Sequence, residues 1–340
     1  MRVGVNPQMN SHSLDDKFIH QIVIPVYIPN NSGYFKDALK VFKTCLLSLN
    51  KTIHDKTFIT VVNNGSGIEA INYLNEQLLQ NNIHEVVHTI NIGKNNAILK
   101  GVNGHNFKLI TIADADVMFL KGWQDNTIKV FNSFSKAGVV GLVPQFKLYA
   151  SLSYNVLFDN MFSKRLQFTK VENPEAMKLF YKSIAWKDNY NKDYLKLHLT
   201  ITSKNDTKAV VGSGHFVATY KREALELNPK ETLQEKLSPK QDRDLLDTPV
   251  FKVGGWRLTT ANNYAYHMGN VHESWMDKEI EKVTNESNRK CLRLNHKTLT
   301  SNKLSYFIKN HLFRKLLQNK ALLRRFLIAK GLPKSMAKNY

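Results

Sequence analysis

Apolar and polar residues come in alternating blocks along the first third of the chain. Gln21-Ile22-Val23-Ile24-Pro25-Val26-Tyr27 is short, apolar and β-branched, the pattern of a strand buried on both faces. Pro29-Asn30-Asn31-Ser32-Gly33 follows as turn chemistry. Phe35, Leu39, Phe42, Leu46 and Leu49 then recur at helical spacing over 34–50. The cycle repeats. Phe58–Val62 predicts a second strand, closed by Asn63-Asn64-Gly65-Ser66-Gly67, with a helix over about 68–82. Val86–Ile90 predicts a third strand, 94–104 a helix, and Lys108–Ala113 a fourth strand. Strand and helix in strict alternation predict an α/β fold, a mostly parallel sheet flanked by helices. The middle, 145–208, carries no clear period. An apolar run over Phe216–Tyr220 follows, and Phe251–His267 returns to short strands.

In such sheets ligands sit beyond the carboxyl ends of the strands, so the residues there matter most. Neither a GxGxxG after the first strand nor a GxxxxGK[ST] is present, which argues against a dinucleotide-binding unit and a P-loop. Instead Asp114-Ala115-Asp116 follows the fourth strand. At strand spacing the two carboxylates would point the same way, and such a pair repels unless a cation neutralises it. Hard oxygen ligands suit Mn²⁺ or Mg²⁺, which would share its shell with substrate phosphates. The competing reading is a loop with two solvated aspartates.

Four segments occur in a telling order: Ile22–Tyr27, Val61–Ser66, Asn91–Ala97 and Ile112–Val117. Together they resemble glycosyltransferase family 2, over about 21–270. The resemblance implies a GT-A, Rossmann-like fold and a nucleotide-diphospho-sugar donor, most commonly UDP-linked. It also implies a divalent metal and inversion at the anomeric carbon. By this resemblance Pro25, Val26, Tyr27, Asn63, Asn64, Lys94, Asp114 and Ala115 form the donor site. Asn63 stands where the family commonly has an aspartate facing the base. Lys94 can equally be a solvated lysine at a helix start. Asp116, with Asp114, would bind the metal.

The family's later acidic motif, whose aspartate deprotonates the acceptor, resembles Gln241-Asp242-Arg243-Asp244-Leu245-Leu246-Asp247. Asp242 matches by motif and Asp244 by spacing back from Gly255, with Asp247 a third candidate. A helix N-terminus dressed with acids is the plain alternative. Tyr264-Ala265-Tyr266-His267-Met268-Gly269 resembles the family's His-x-Gly ending, which makes His267 a third metal ligand or a structural hydrogen-bonder. Gly214, His215 and Trp256 would line the acceptor side.

Composition then bounds the setting. The chain has 340 residues and a formal charge of +20. Of this, +14 falls between Ser287 and Tyr340, where no Asp or Glu occurs, leaving +6 for the rest. Within Lys303–Lys330 the apolar residues Leu304, Ile308, Leu312, Leu316, Leu323 and Leu327 follow a helical stripe among these cations. A basic amphipathic helix can lie on an anionic membrane; alternatively the helices pack on the catalytic domain. No nucleic-acid recognition motif accompanies the charge. Two cysteines, no apolar leader and no long apolar run predict a cytoplasmic, non-spanning protein, peripheral at the inner face of the cell membrane.

The expected organisation is an N-terminal extension over 1–20, a catalytic domain over 21–275 and a basic helical tail over 276–340. The donor half would cover about 21–120 and the acceptor half about 121–275. Because every candidate site residue precedes 276, the tail is expected to be dispensable for chemistry. The functional expectation is transfer of a sugar from a nucleotide-sugar donor to a glycan or lipid-linked glycan in surface polysaccharide synthesis. Alternatives are a sugar nucleotidyltransferase, which would want a basic Gly-rich loop after the first strand, and a non-catalytic glycan- or membrane-binding relative.

Overall fold

The computed structural model describes residues 4, 17–226, 239–286 and 289–340. Apart from 4 and 17–20, the expected N-terminal extension lies outside the described residues, as does most of the polar stretch before Asp242.

The first βα cycles form as the pattern predicts. They are β1 (His20–Val26), α1 (Ala38–Thr52), β2 (Thr57–Asn64), α2 (Ile68–Leu79), β3 (Glu85–Thr89), α3 (Lys94–Val102) and β4 (Leu109–Ala113). Ile22, Ile24 and Val26 of β1 pack with Phe42, Leu46 and Leu49 of α1 on one face. Val23 faces the other way, against Ala97, Ile98 and Val102 of α3. Both faces are thus covered, which is why these strands read as continuous apolar runs.

After β4 come β5 (Val117–Phe119), α4 (Trp123–Ser133), β6 (Ala137–Gly141), α5 (Tyr154–Asp159), β7 (Leu166–Lys170) and α6 (Pro174–Ser183). Then follow β8 (Leu197–Thr202), β9 (Lys208–Val211), β10 (Val217–Lys221) and the short α7 (Arg222–Leu225). Beyond the undescribed gap lie α8 (Pro239–Asp242), a π-helical turn over Arg243–Asp247, α9 (Thr248–Lys252), β11 (Trp256–Thr260), β12 (Ala265–His267) and α10 (Ser274–Lys282).

Among the described residues ten strands form one sheet, in the order β3-β2-β1-β4-β10-β6-β11-β9-β8-β7, while β12 pairs with β5 apart from it. β1 to β4, β6, β8 and β11 run one way; β7, β9 and β10 run the other. The expected mostly parallel α/β sheet is therefore present, with four contiguous parallel strands in β3-β2-β1-β4 and a further parallel pair in β6-β11. Because β10 is antiparallel to both β4 and β6, its start meets the carboxyl ends of those strands. One rim of the sheet therefore gathers the ends of β1, β2 and β4 with the start of β10.

The segment expected to be a separate tail is not set apart. It contains α11 (Lys303–Phe307), a π turn over Ile308–Leu312, α12 (Phe313–Gln318) and α13 (Lys320–Ala329). Phe313, Leu317, Leu327 and Leu332 are buried in the same cluster as Tyr149, Leu166, Phe168 and Leu199. Phe168 N–H donates to the Lys330 carbonyl at 2.7 Å. The Lys330 ammonium is itself buried and donates to the carbonyls of Asn160 and Ser163. These helices thus pack on the domain through one face.

Candidate active site

The sheet rim holds a cavity of about 290 Å³. Pro25, Val26 and Tyr27 from the end of β1, Asn64 from β2 and Lys94 from the start of α3 form one side. Asp114, Ala115 and Asp116 from the β4–β5 turn line it too, with Tyr34, Phe35 and Asn270. Seven of the eight proposed donor-site residues thus come together. The exception is Asn63, a buried residue whose amide is committed inside the loop. Its Oδ1 accepts from Ser66 N–H at 2.9 Å and its Nδ2 meets His88 at 2.9 Å. Asn64 has its own structural task, accepting from Ile92 N–H at 2.9 Å and so tying the β2 end to the loop before Lys94.

Asp114 and Asp116 do not lie in a strand. They occupy the turn between β4 and β5, so the two-residue alternation that would align them does not apply. Backbone bonds clamp the turn from both sides. Asp114 N–H donates to Phe216 C=O, and Met268 N–H to Asp116 C=O, each at 2.8 Å. The side chains then diverge. Asp114 Oδ1 meets Lys94 Nζ at 2.5 Å. Burial works against the Lys94 ammonium, but Asp114 above all, then Asp242 and Asp116, outweigh it and lift its pKa above the ordinary lysine value. Lys94 is therefore a held cation facing the cavity, not a solvated one.

Asp116 turns to His267, with Oδ2 and Nε2 3.4 Å apart. Its Oδ1 is buried without a hydrogen-bond partner among the described residues. Burial raises the Asp116 carboxyl above the usual aspartate range, against the opposing pull of His267. The histidine ring is oriented by a residue that the sequence did not single out. Ser183 Oγ, at the end of α6, donates to Phe180 C=O at 2.7 Å and lies 2.9 Å from His267 Nδ1. The hydroxyl has one proton and gives it to the carbonyl, so it accepts from Nδ1–H. In the neutral ring Nε2 then carries a lone pair and faces the carboxylate. Two acceptors at 3.4 Å call for a cation or a shared proton between them. Phe180 and Phe216 fence the ring.

Among the described residues no three His, Cys, Asp or Glu side chains converge as a self-sufficient metal cage. Asp116 and His267 nevertheless fit a divalent ion whose remaining ligands come from substrate and water, the usual state of Mg²⁺ sites built around phosphates. Asp114 differs from the expectation, since one of its oxygens is already engaged by Lys94.

Across the start of β10, Gly212-Ser213-Gly214-His215 brings a second group of charges. A Cβ on Gly214 would lie 2.5 Å from the Gln145 amide, the end of a flexible side chain that can move aside. His215 stands between two carboxylates, 4.0 Å from Asp242 Oδ2 and 3.7 Å from Asp247 Oδ2, ion-pair distances rather than hydrogen bonds. Asp247, with Asp242 behind it, raises the imidazole pKa against the effect of burial. Asp247 is itself buried and bound by the buried Arg257 at 2.8 Å. Asp242 keeps one buried oxygen, Oδ1, without a partner among the described residues. Asp244 points elsewhere: it is exposed and pairs with Arg243 at 3.6 Å. The three candidate bases are thus separated by environment: Asp242 faces His215 with its other oxygen unpartnered among the described residues, Asp244 is exposed, and Asp247 is locked to arginine.

Trp256 is not on the acceptor side. It opens β11 and pairs with Ala137 at the start of β6, the sheet end opposite the cavity. Its indole N–H donates to Asp159, and its ring packs near Phe134.

No family model and no curated protein matches the chain. Among solved structures, one similar chain is a mannosyltransferase from Pyrobaculum calidifontis in complex with GDP-Man and Mn²⁺. It has a TM-score of 0.41 and 14% identity, covering 76% of this chain and 58% of that one. TarS from S. aureus has a TM-score of 0.43 and 10% identity over 94% of this chain, which spans 41% of it. Its fragment 1–349 in complex with UDP has a TM-score of 0.42 and 11% identity, with coverages of 94% and 68%. At TM-scores below 0.5 these likenesses carry no functional inference.

Proposed function

We propose that this protein is a metal-dependent glycosyltransferase. It would move a sugar, with inversion, from a nucleotide-diphospho-sugar to a hydroxyl of a glycan or lipid-linked glycan in surface polysaccharide synthesis. A UDP-sugar is the expected donor. One observation carries the reading: the paired Lys94 and Asp114 line one cavity with Asp116, beyond the carboxyl ends of parallel strands, and His267 stands against Asp116. Tyr27, Tyr34 and Phe35 offer aromatic and polar surface to a nucleobase and ribose. Lys94 offers charge to the diphosphate. A divalent ion held by Asp116 and His267 would neutralise the diphosphate leaving group.

On the acceptor side Asp242 is the proposed base. It takes the proton of the acceptor hydroxyl as that oxygen bonds to the anomeric carbon and the bond to the diphosphate breaks on the opposite face. His215, held by Asp247, positions Asp242. The reading extends to a peripheral place on an anionic membrane. Leu304, Phe307, Leu312 and Leu316 remain exposed on the packed tail beside Lys303, Arg314 and Lys315.

The test is a hydrolysis screen of UDP- and GDP-sugars with Mn²⁺, with Mg²⁺ and with EDTA. Release of nucleotide from one donor, only with metal, is the expected result. No release and no nucleotide binding under any condition would overturn the reading.

A further inference from the structure

A second cavity lies one helix away from His267. It measures about 490 Å³, and the rings of Tyr181, Trp186 and Tyr190 line it together with Glu175, Lys178 and Asp188. Its centre is Trp186, 56% exposed, although tryptophan is highly buried on average. Single exposed apolar residues are common, but this one is held. Ala185 adopts φ +55°, a left-handed conformation that costs a non-glycine residue about 1 kcal/mol or more. Trp186 N–H donates to Tyr181 C=O at 2.9 Å. The Tyr181 ring meets the indole edge to face at 5.4 Å and is backed by Phe146, stacked at 3.8 Å. The Tyr181 hydroxyl accepts from Phe146 N–H at 2.7 Å. The indole is thus presented on a braced aromatic wall.

This wall is coupled to the metal-site candidates by α6, whose Ser183 touches His267 Nδ1 at 2.9 Å. Three residues separate Ser183 from Trp186, a span of at most about 11 Å. The polar rim sets Glu175 and Asp188 against Lys178 and Lys182, so no single sign of charge prevails, which disfavours a phosphate or another polyanion. The Tyr181 ring is buried and the Lys192 ammonium lies over the Tyr190 ring at 4.1 Å, so the open apolar face is the indole. Ringed by hydrogen-bonding groups of both kinds, it complements a neutral ring with one apolar face and hydroxyls at its edge.

We infer that Trp186, backed by the buried Tyr181 and flanked by Tyr190, is a platform for a neutral pyranose of the acceptor glycan, one or more units from the reacting hydroxyl. The inference rests on the glycosyl-transfer reading and deepens it: the acceptor is an oligosaccharide gripped beyond its terminal sugar.

The experiment uses the full chain and soluble trisaccharides of glucose, galactose, mannose and N-acetylglucosamine, read by ligand-observed NMR. UDP binding to the wild type is measured in parallel with Mn²⁺. At least one trisaccharide should bind, more tightly than its monosaccharide. Trp186→Ala should weaken that binding by roughly tenfold, equivalent to about 1.4 kcal/mol. Trp186→Phe should recover most of it and Trp186→Leu should not, since an aromatic face is what counts. Unchanged affinity in Trp186→Ala, or no trisaccharide bound by a protein that binds UDP, overturns the platform alone. Saccharide binding without UDP binding upholds the platform and overturns the donor assignment. Failure of both ligands overturns both.

Discussion

Two aspartates, two residues apart, take different partners at this site, and that difference sets what each substitution should do. Asp116 faces the Nε2 lone pair of His267, so it is the carboxylate with most need of a cation. Asp116→Ala should abolish metal-dependent nucleotide release with little change in melting temperature; full activity in the variant or in EDTA would remove the metal assignment. Asp242→Asn should lower turnover by about 10²-fold or more, the scale of a positioned base, while donor affinity holds. Asp244→Asn, altering an exposed side chain, should behave as wild type. Asp247→Asn should instead be read in stability, because breaking a buried ion pair costs about 3–5 kcal/mol. A dead Asp244→Asn beside a normal Asp242→Asn would reverse the choice of base. Buried histidines add a pH dependence. Burial holds both His54 and His198 down to about 4. Above pH 6.5 the rings are neutral folded or unfolded, and stability is full. Between 6.5 and 4 the unfolded chain binds protons that the native rings refuse, so stability falls across that window. The loss is on the order of 3 kcal/mol per ring. Neither nitrogen of His198 has a partner among the described residues. Urea unfolding at pH 7 and pH 5 should therefore show a smaller acid loss in His198→Leu; an equal loss would rule the ring out as a cause.

Elements were legible where burial on both faces wrote itself into the sequence. β1, β2 and β4 are buried at nearly every position, and the helices between them carry a clear apolar face. The middle was opaque for a physical reason: β7 is partly exposed, β8 buries the polar His198 and Thr200 among its apolar residues, and the short α5 packs through few apolar positions. The same holds within the site. Asp114, Asp116 and Lys94 could be read because they follow strand ends. Ser183 ends a helix in that opaque region and Trp186 follows it, and the contact of Ser183 with His267 is purely tertiary. Trp256 was assigned to the wrong end of the sheet because a tryptophan's position along a strand does not reveal which end faces the ligand. A glycine inside α3 shows how tightly an element can position chemistry. A Cβ on Gly101 would lie 2.6 Å from Val23 Cγ1 and 2.9 Å from Val62 Cγ2. Gly101→Ala would thus push α3 off the sheet, and Lys94 begins that helix. Overpacking of this kind typically costs 1–3 kcal/mol. The expected outcome is a lower melting temperature together with weaker UDP binding. If the melting temperature falls while UDP affinity holds, Lys94 does not depend on how α3 seats.

At the scale of the whole molecule the basic C-terminal helices face two ways, and the two faces make separate predictions. Inward, Phe313, Leu317, Leu327 and Leu332 cover Tyr149, Phe168 and Leu199. The sequence expectation that the tail is dispensable for chemistry therefore reverses. Deleting residues 301–340 would leave that core open to water, and the truncated protein should aggregate and lose donor hydrolysis together with transfer. Outward, Leu304, Phe307, Leu312, Leu316 and Leu322 are exposed, with Lys303, Arg314, Lys315, Lys320, Arg324 and Arg325 beside them. No helix among the described residues is long and apolar enough to cross a membrane, so any membrane contact these helices make would lie along this face. Each Lys or Arg near an anionic surface contributes about 1 kcal/mol, and that attraction is screened by salt. The intact protein should therefore sediment with phosphatidylserine vesicles at low salt and release at high salt. Serine at Leu304, Phe307 and Leu316 should weaken sedimentation while sparing the melting temperature and donor hydrolysis, since none of the three supports the core. Packing and docking are thus tested by different variants of one segment. An intact, folded protein that ignores anionic vesicles would confine these helices to their structural role, and a truncated protein that stays soluble and hydrolyses donor would do the reverse.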